Sequence, residues 1–244
     1  MVKIEHKPPP CENWGSALID DLASPLRTRL RRLRRLDCCA LSDALDKLEL
    51  PGVISGVPQQ SGTGRIAGIV VTVKLDAGEP APGPPRHLGA AAIEAGGADH
   101  VIVVEQRTGI EAGSWGGLLT LAAKRKGIAG VIADGPVRDI DEAQSHGFPI
   151  FTRALTARTA RGRIVEKATN ATIIVWGTTV EPGDYVAADR SGVVFIKQGD
   201  IDRVLATAEQ IVEREAAMAR ALLDGAPVTQ VLGENYERML RDTR

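Results

Sequence analysis

Apolar positions along this chain follow two different periods. Leu26, Leu30, Leu33 and Leu36 recur at steps of four, three and three, which lays one stripe along a helix. Six arginines between positions 27 and 35 fill the remaining faces. Such a basic face suits either a nucleic-acid contact or a solvated surface, and a Leu-striped amphipathic helix accounts for it more simply. Ser42-Asp43 ahead of Ala44, Leu45 and Leu48 reads as an N-cap and acidic first turn, with Pro51-Gly52 as the stop. The β-branched run over 66–73 predicts a short buried strand. Strand and helix then alternate. A helix through Leu88, Ala91, Ile93 and Ala95 leads to a strand over 101–104. A helix over 118–126 stops at Gly127, followed by a strand over 128–133, a short helix over 138–144 and a strand over 149–153. Alternation at these lengths predicts βα units and a partly parallel sheet, an α/β fold.

After residue 160 the pattern changes. Strands over 173–180 and 185–196 are joined by Glu181-Pro182-Gly183-Asp184, with a second turn at Asp189-Arg190-Ser191-Gly192, so a small antiparallel section is expected. Ile201, Val204, Leu205, Ala208, Ile211 and Val212 predict a long helix over 200–223, and Val231, Tyr236 and Leu240 a last one. Residues 1–24, with Pro8-Pro9-Pro10 and a lone Trp14, read as an arm, and 76–86 as a Pro-rich loop. No repeat or low-complexity linker divides the chain. The expected organisation is an N-terminal arm and helix over 1–36, a mixed-sheet core over 37–199 and a C-terminal helical arm over 200–244. Arms of this kind often pack on a neighbouring subunit.

Composition narrows the function classes. Of 244 residues, 43% are hydrophobic and 25% charged, which is ordinary globular usage. Thirty basic residues against thirty-one acidic ones leave a net charge of −1, with no global signature for nucleic acid or an anionic membrane. Aromatics make up only 3%, which argues against a surface that stacks bases or sugars. Cys11, Cys38 and Cys39 show no C-x-x-C or zinc spacing, and the four histidines are scattered, so a reducing compartment without a structural metal cluster is expected. The N-terminus lacks the apolar run of a signal peptide, and no segment reaches the ~18–20 apolar residues of a membrane span. A cytoplasmic protein is the expectation. Gly62-Thr63-Gly64 precedes a strand, whereas nucleotide-binding glycines follow one and open a helix, so no nucleotide loop is read there.

The stretch 113–142 carries the candidate chemistry. Gly116-Gly117 lies where a loop becomes a helix, so backbone N–H groups can approach an anion without a Cβ in the way. One strand later, Arg138-Asp139 opens another helix. Arginine offers a rigid fork for a carboxylate, and aspartate an oxygen for a hard cation. If adjacent βα units set these helix starts side by side, a metal-chelating organic acid fits between them. A Gly-rich turn and an Arg-Asp surface pair explain the same residues, and the residues alone leave both readings open. His87 at a helix start is a lesser candidate for lining the site. His100 and His146 read as structural or exposed, Asp189 as a turn former, and Asp134 as either a turn former or a support for the Arg138 loop.

Gly116-Gly117-Leu118-Leu119, then AGVIADGPVRD over 129–139 and GFPIF over 147–151, resemble the ribonuclease-E-activity-regulator-like (RraA-like) family, which includes the class II 4-hydroxy-4-methyl-2-oxoglutarate aldolases. LSDAL at 41–45, PGDYVAADRSGVV at 182–194 and EAAMARALLDG at 215–225 extend the resemblance. It implies a swivelling β/β/α-type domain assembled as a homotrimer or homohexamer. Gly116, Gly117, Leu118 and Leu119 would bind substrate through backbone N–H groups. Arg138 would grip its carboxylate, and Asp139 would hold a divalent metal, Mg²⁺ or alternatively Mn²⁺. Arg138 and Asp139 would carry the catalysis, with Glu215 a possible second-layer or cross-subunit acid. The implied function is a lyase that cleaves a small 4-hydroxy-2-oxo acid to pyruvate and also decarboxylates oxaloacetate. Two alternatives share the fold: a non-catalytic regulator that contacts a ribonuclease, with the Arg27–Arg35 face as candidate surface, and another hydroxy-acid lyase or dehydratase. Aldolase members carry an acidic residue where this chain has Gly117, and regulator-type members an Asn where it has Leu118.

Overall fold

The structure, a computed structural model, describes residues 24–79 and 86–233. The expected N-terminal arm, most of the Pro-rich loop and the part of the expected last helix through Tyr236 and Leu240 lie outside those residues. Helices α1 (Pro25–Leu33) and α2 (Cys38–Lys47) come first, then strands β1 (Val53–Ile54), β2 (Gln59–Ser61) and β3 (Ile66–Asp76). The alternating part is α3 (Ala90–Ala95), β4 (His100–Gln106), α4 (Gly117–Arg125), β5 (Gly130–Asp134), α5 (Ile140–Ser145) and β6 (Ile150–Thr152). Then follow β7 (Val165–Thr169), the hairpin β8 (Ile173–Val175) and β9 (Thr178–Val180), the hairpin β10 (Tyr185–Asp189) and β11 (Gly192–Ile196), and helices α6 (Ile201–Leu223) and α7 (Val228–Val231).

Eight strands run in the order β1-β11-β10-β3-β4-β5-β6-β2, and β7 pairs with β3 off this path. The β3-β4-β5-β6 ladders are parallel and the others antiparallel, so the expected mixed α/β fold is present. The strand period of two sorts the core. Ile66 and Val70 of β3, Val101 and Val103 of β4, Ile132, Phe151, Val186, Ala188, Val193 and Phe195 form one cluster, which requires the sheet to curl around its own inner face. Their odd-even neighbours point outward. Val71, Val73, Ile102, Val104, Val131 and Ala133 pack under α3, α4 and α5. Tyr185, Ala187, Val194 and Ile196 pack under α1, α2 and α6. Two helical layers therefore share one outer face.

Several expectations change. Helix α2 starts at Cys38 rather than behind Ser42-Asp43, because Asp37 caps it, its Oδ1 accepting from Ala40 N–H at 2.8 Å. Asp189 adds to that start by accepting the Cys38 N–H at 2.9 Å while also closing its own turn onto Ser191. The strand expected over 173–180 is broken into β8 and β9 by Trp176-Gly177, both at positive φ (45° and 88°). Strands β1, β2 and β7 were not foreseen, being two or three residues long or, in VEKAT, mostly polar. Among the described residues, no helix is long and apolar enough to cross a membrane.

Candidate functional site

Strands β4 and β5 end beside one another, and their following loops keep pairing. Trp115 and Val137 form a parallel bridge, Val137 forms another with Leu155, and Arg138 N–H donates to Trp115 O at 3.0 Å. Ser114 ties the same loops together, its N–H and hydroxyl both donating to Pro136 O at 2.7 and 2.8 Å. Trp115 anchors them from below: it is buried, and its indole N–H donates to Thr120 Oγ1 at 3.0 Å. The starts of α4 and α5 are thus set side by side at the carboxyl ends of parallel strands, where α/β folds place their ligands.

Asp139 sits at the N-cap position of α5 with φ 57°, a left-handed conformation that aspartate tolerates better than most residues. Its carboxylate does not cap its own helix. Turned the other way, its Oδ2 accepts the Gly117 N–H of α4 at 3.0 Å. Arg138 Nε donates to both oxygens of Asp139, at 3.2 and 3.1 Å, and no other hydrogen bond involves the Arg138 side chain among the described residues. Its two terminal nitrogens are therefore open for a ligand. Both side chains are about one-third exposed, 36% and 34%.

Missing side chains make this packing possible. A Cβ at Gly116 would lie 3.0 Å from Asp139 Oδ2 and 3.1 Å from Arg138 Cγ, and one at Gly113 would lie 2.9 Å from Arg138 Cγ. The arginine stem lies along a track of two glycines. Gly117 N–H is engaged by Asp139, so the first-turn donors left without an intrahelical acceptor are those of Leu118 and Leu119. Leu118 is 76% exposed and gives the site an apolar wall, whereas the Leu119 side chain is buried in the core.

Gly116 to Leu119, Arg138 and Asp139 are thus brought together. Glu215 stands apart from them within one chain. It lies on the C-terminal half of α6, its carboxyl raised first by burial and then by the charges of Asp43 on α2 and of Asp37 at its cap. His87 is exposed and faces Leu88 O at 2.9 Å. Asp134, considered as a support for the Arg138 loop, instead accepts the Trp176 N–H at 2.7 Å, and Glu105 likewise takes the Ile174 N–H at 2.7 Å. These two carboxylates clamp the β8–β9 hairpin. Sequence reasoning did not single out Glu142, whose carboxylate lies against Gly117. Its place three residues after the Asp139 N-cap, the capping-box spacing that keeps a glutamate near a helix start, was the available signal.

The resemblance implies a divalent cation at Asp139. Among the described residues, no three His, Cys, Asp or Glu side chains gather as a metal cage. Mg²⁺ usually keeps several waters and takes one or two carboxylates, so Asp139, one-third exposed, fits as a single carboxylate donor, with the Glu142 carboxylate also converging on Gly117.

The family model for RraA-like proteins, described as Aldolase/RraA, matches residues 38–195. An uncharacterised Methanocaldococcus jannaschii protein, MJ0644, is 34% identical over 122 residues, 50% of this chain and 58% of that protein. The chain spans little more than half of that relative's length and 36% of another's. A Halalkalibacterium halodurans protein named provisionally as a 4-hydroxy-4-methyl-2-oxoglutarate aldolase is 28% identical over 197 residues, 80% of this chain and 89% of that one. Among solved structures, an uncharacterised Pseudomonas syringae pv. tomato protein superposes with a TM-score of 0.75 at 28% identity, covering 85% of this chain and 98% of its own. Streptomyces coelicolor RraAS2, described as an unusual member of the RNase ES inhibitor RraA family, has the same fold with a TM-score of 0.67 at 24% identity, covering 78% and 94%.

Proposed function

The chain belongs to the RraA-like family, and on that premise we propose that it is a divalent-metal-dependent lyase cleaving a small 4-hydroxy-2-oxo (di)carboxylic acid to pyruvate, with oxaloacetate decarboxylation as a second activity. The observation that carries this reading is Arg138. It is tethered to Asp139 through Nε alone, which leaves both terminal nitrogens for the carboxylate of a 2-oxo acid. The N–H groups of Leu118 and Leu119, at the positive end of α4, donate to substrate oxygen. A divalent cation held at Asp139, Mg²⁺ or Mn²⁺, would supply Lewis-acid stabilisation of the charge that develops on the 2-oxo oxygen. In the cleavage itself a water or a carboxylate takes the 4-hydroxyl proton, the C3–C4 bond breaks, and the electron pair passes to C3 as pyruvate enolate. The C4 fragment leaves as a carbonyl compound, and C3 then takes a proton to give pyruvate. Oxaloacetate reaches the same enolate by losing CO₂ from C4, so one site serves both reactions.

The test couples pyruvate release to lactate dehydrogenase, with 4-hydroxy-4-methyl-2-oxoglutarate and oxaloacetate offered separately, with Mg²⁺ and after chelation. Chelator-sensitive pyruvate from both is expected. Pyruvate from oxaloacetate alone would retain the enolate chemistry and reject this aldol substrate. Silence on both would overturn this lyase reading and favour the ribonuclease-contact alternative or a different hydroxy-acid lyase or dehydratase. One observation already weighs against the arginine face as that contact: Arg29, Arg32 and Arg34 are engaged within the chain by Asp202, Glu209 and Asp99. The homotrimer or homohexamer is part of the proposal and is read by light scattering.

A further inference from the structure

We propose that Glu142 is a positioning carboxylate of this site, the second acidic group beside a cation held at Asp139, and that the bare Cα of Gly117 is what admits it. The inference rests on the lyase reading above and adds a residue to it.

A Cβ built on Gly117 would lie 2.0 Å from Glu142 Oε2, 2.6 Å from its Cδ and 3.0 Å from Oε1. Glu142 reaches across from α5 and puts its carboxylate where the side chain of residue 117 would begin. Residue 117 is also the one whose N–H holds Asp139 Oδ2, so the two carboxylates converge on the first residue of α4. Glu142 has no hydrogen-bond donor there among the described residues. The nearest basic side chain is His146, whose Nε2 lies 3.9 Å from the other oxygen, Oε1, beyond hydrogen-bond range. With its side chain 47% exposed, the carboxylate is open to water and ligand.

Two carboxylates at one helix start repel each other. The dipole of α4 offsets part of that, and a hard cation with its waters offsets the rest, because each water has protons to donate. Glu142 then accepts from a water of that shell or from the substrate hydroxyl. It acts through that water rather than by ligating, as carboxylates of this kind orient a metal's immediate ligands.

The experiment titrates the full chain with Mn²⁺ alone and follows the loss of the free-ion signal by electron paramagnetic resonance. Wild type, Asp139→Ala, Glu142→Ala, Gly117→Ala and the double variant Gly117→Asp/Glu142→Ala are compared, with circular dichroism melts confirming that each is folded. Glu142→Ala is expected to weaken Mn²⁺ binding about 10-fold. Gly117→Ala should weaken it too although no acid is removed, because the new methyl takes the space of the Glu142 carboxylate. The double variant should recover most of the wild-type affinity, since it returns a carboxylate to the same space from α4. A merely structural role for Glu142 in α5 would not be rescued from residue 117. Unchanged binding in Glu142→Ala, or failure of the double variant to recover, would overturn the proposal while leaving an Asp139-dependent affinity intact. Binding that is absent in wild type, or indifferent to Asp139→Ala, would overturn the cation reading and this proposal together.

Discussion

Arginine meets carboxylate in two regions of the outer face, and the two pairings differ in kind. On the α1–α6 side, Arg29 and Arg32 reach Asp202 and Glu209, each through Nε and Nη2 together at 2.6–2.8 Å. The partners lie 173 and 177 residues apart in sequence. Both guanidiniums titrate above their ordinary value because of the hydrogen bonds to those carboxylates, and Asp202 and Glu209 titrate below theirs for the same reason. On the α4–α5 side, Arg138 meets the adjacent Asp139 through Nε alone. A fork with both prongs occupied is a clamp, and a fork held by its base is a hand. The first region joins α1 to α6 over a Leu-lined core, and the second presents unspent donors at the mouth of a parallel sheet.

The comparison breaks most sharply at the hand. Asp139→Ala should lower pyruvate release by about 100-fold or more, the order reached when a key polar group in a site is lost. Its melting temperature should stay near wild type, because the side chain is one-third exposed. Wild-type turnover in that variant would end the lyase reading. Gly116→Ala comes next: its methyl would press on Asp139 Oδ2 and Arg138 Cγ at 3.0 and 3.1 Å. Turnover should fall about 10- to 100-fold, since ångström-scale misplacement of a binding group is that costly. An unaltered rate would show that the pair has room to shift.

The clamped side should respond in stability instead. Asp189→Ala removes the acceptor for the Cys38 N–H and should cost about 1 kcal/mol, typical for a lost helix-start acceptor. Burial raises the Asp189 carboxyl, but hydrogen bonds from Cys38 and Ser191 outweigh it and hold it below the ordinary value. A carboxyl depressed in the folded state adds stability above its unfolded value, near pH 4, and that stability fades as pH falls through the lower folded value. Melts of wild type and Asp189→Ala between pH 7 and pH 2 should therefore converge below about pH 4; a constant gap would contradict this. Smallest is Arg32→Ala, expected to cost at most about 1 kcal/mol with pyruvate release unchanged, because exposed ion pairs contribute little even in good geometry. An activity loss there would tie the clamp to the site.

Much of the frame was legible in residue order. The β-branched runs at 66–73 and 101–104 became the centre of the sheet, and the Leu26 to Leu36 stripe became α1 and its continuation onto α2. Helix starts at 117 and 140 fell within two residues of expectation. The misses have physical causes. Asp37 outcompeted Ser42-Asp43 as a cap because Asp189, from a distant turn, takes the N–H beside it. Strand β7 is polar and joins the sheet by lying against β3, a pairing that no local period announces. Asp134 and Glu105 were drawn to the N–H groups of a hairpin some forty to seventy residues downstream.

For the site the division is similar. Glycines at 116 and 117 opening a helix, and an Arg-Asp pair opening the next, are readable because turn and cap chemistry is local. Their meeting is not local. It depends on parallel pairing carried past the strand ends through Trp115 and Val137, and on a left-handed Asp139 that turns its carboxylate from its own helix to the neighbouring one. Glu142 filling the side-chain space of Gly117 belongs to the same class, as do the two arginine clamps. Residue type and spacing define what each group is able to donate or accept. Which partner it finds follows from long-range packing, because hydrogen bonds and ion pairs are satisfied by whatever the folded chain brings within about 3 Å.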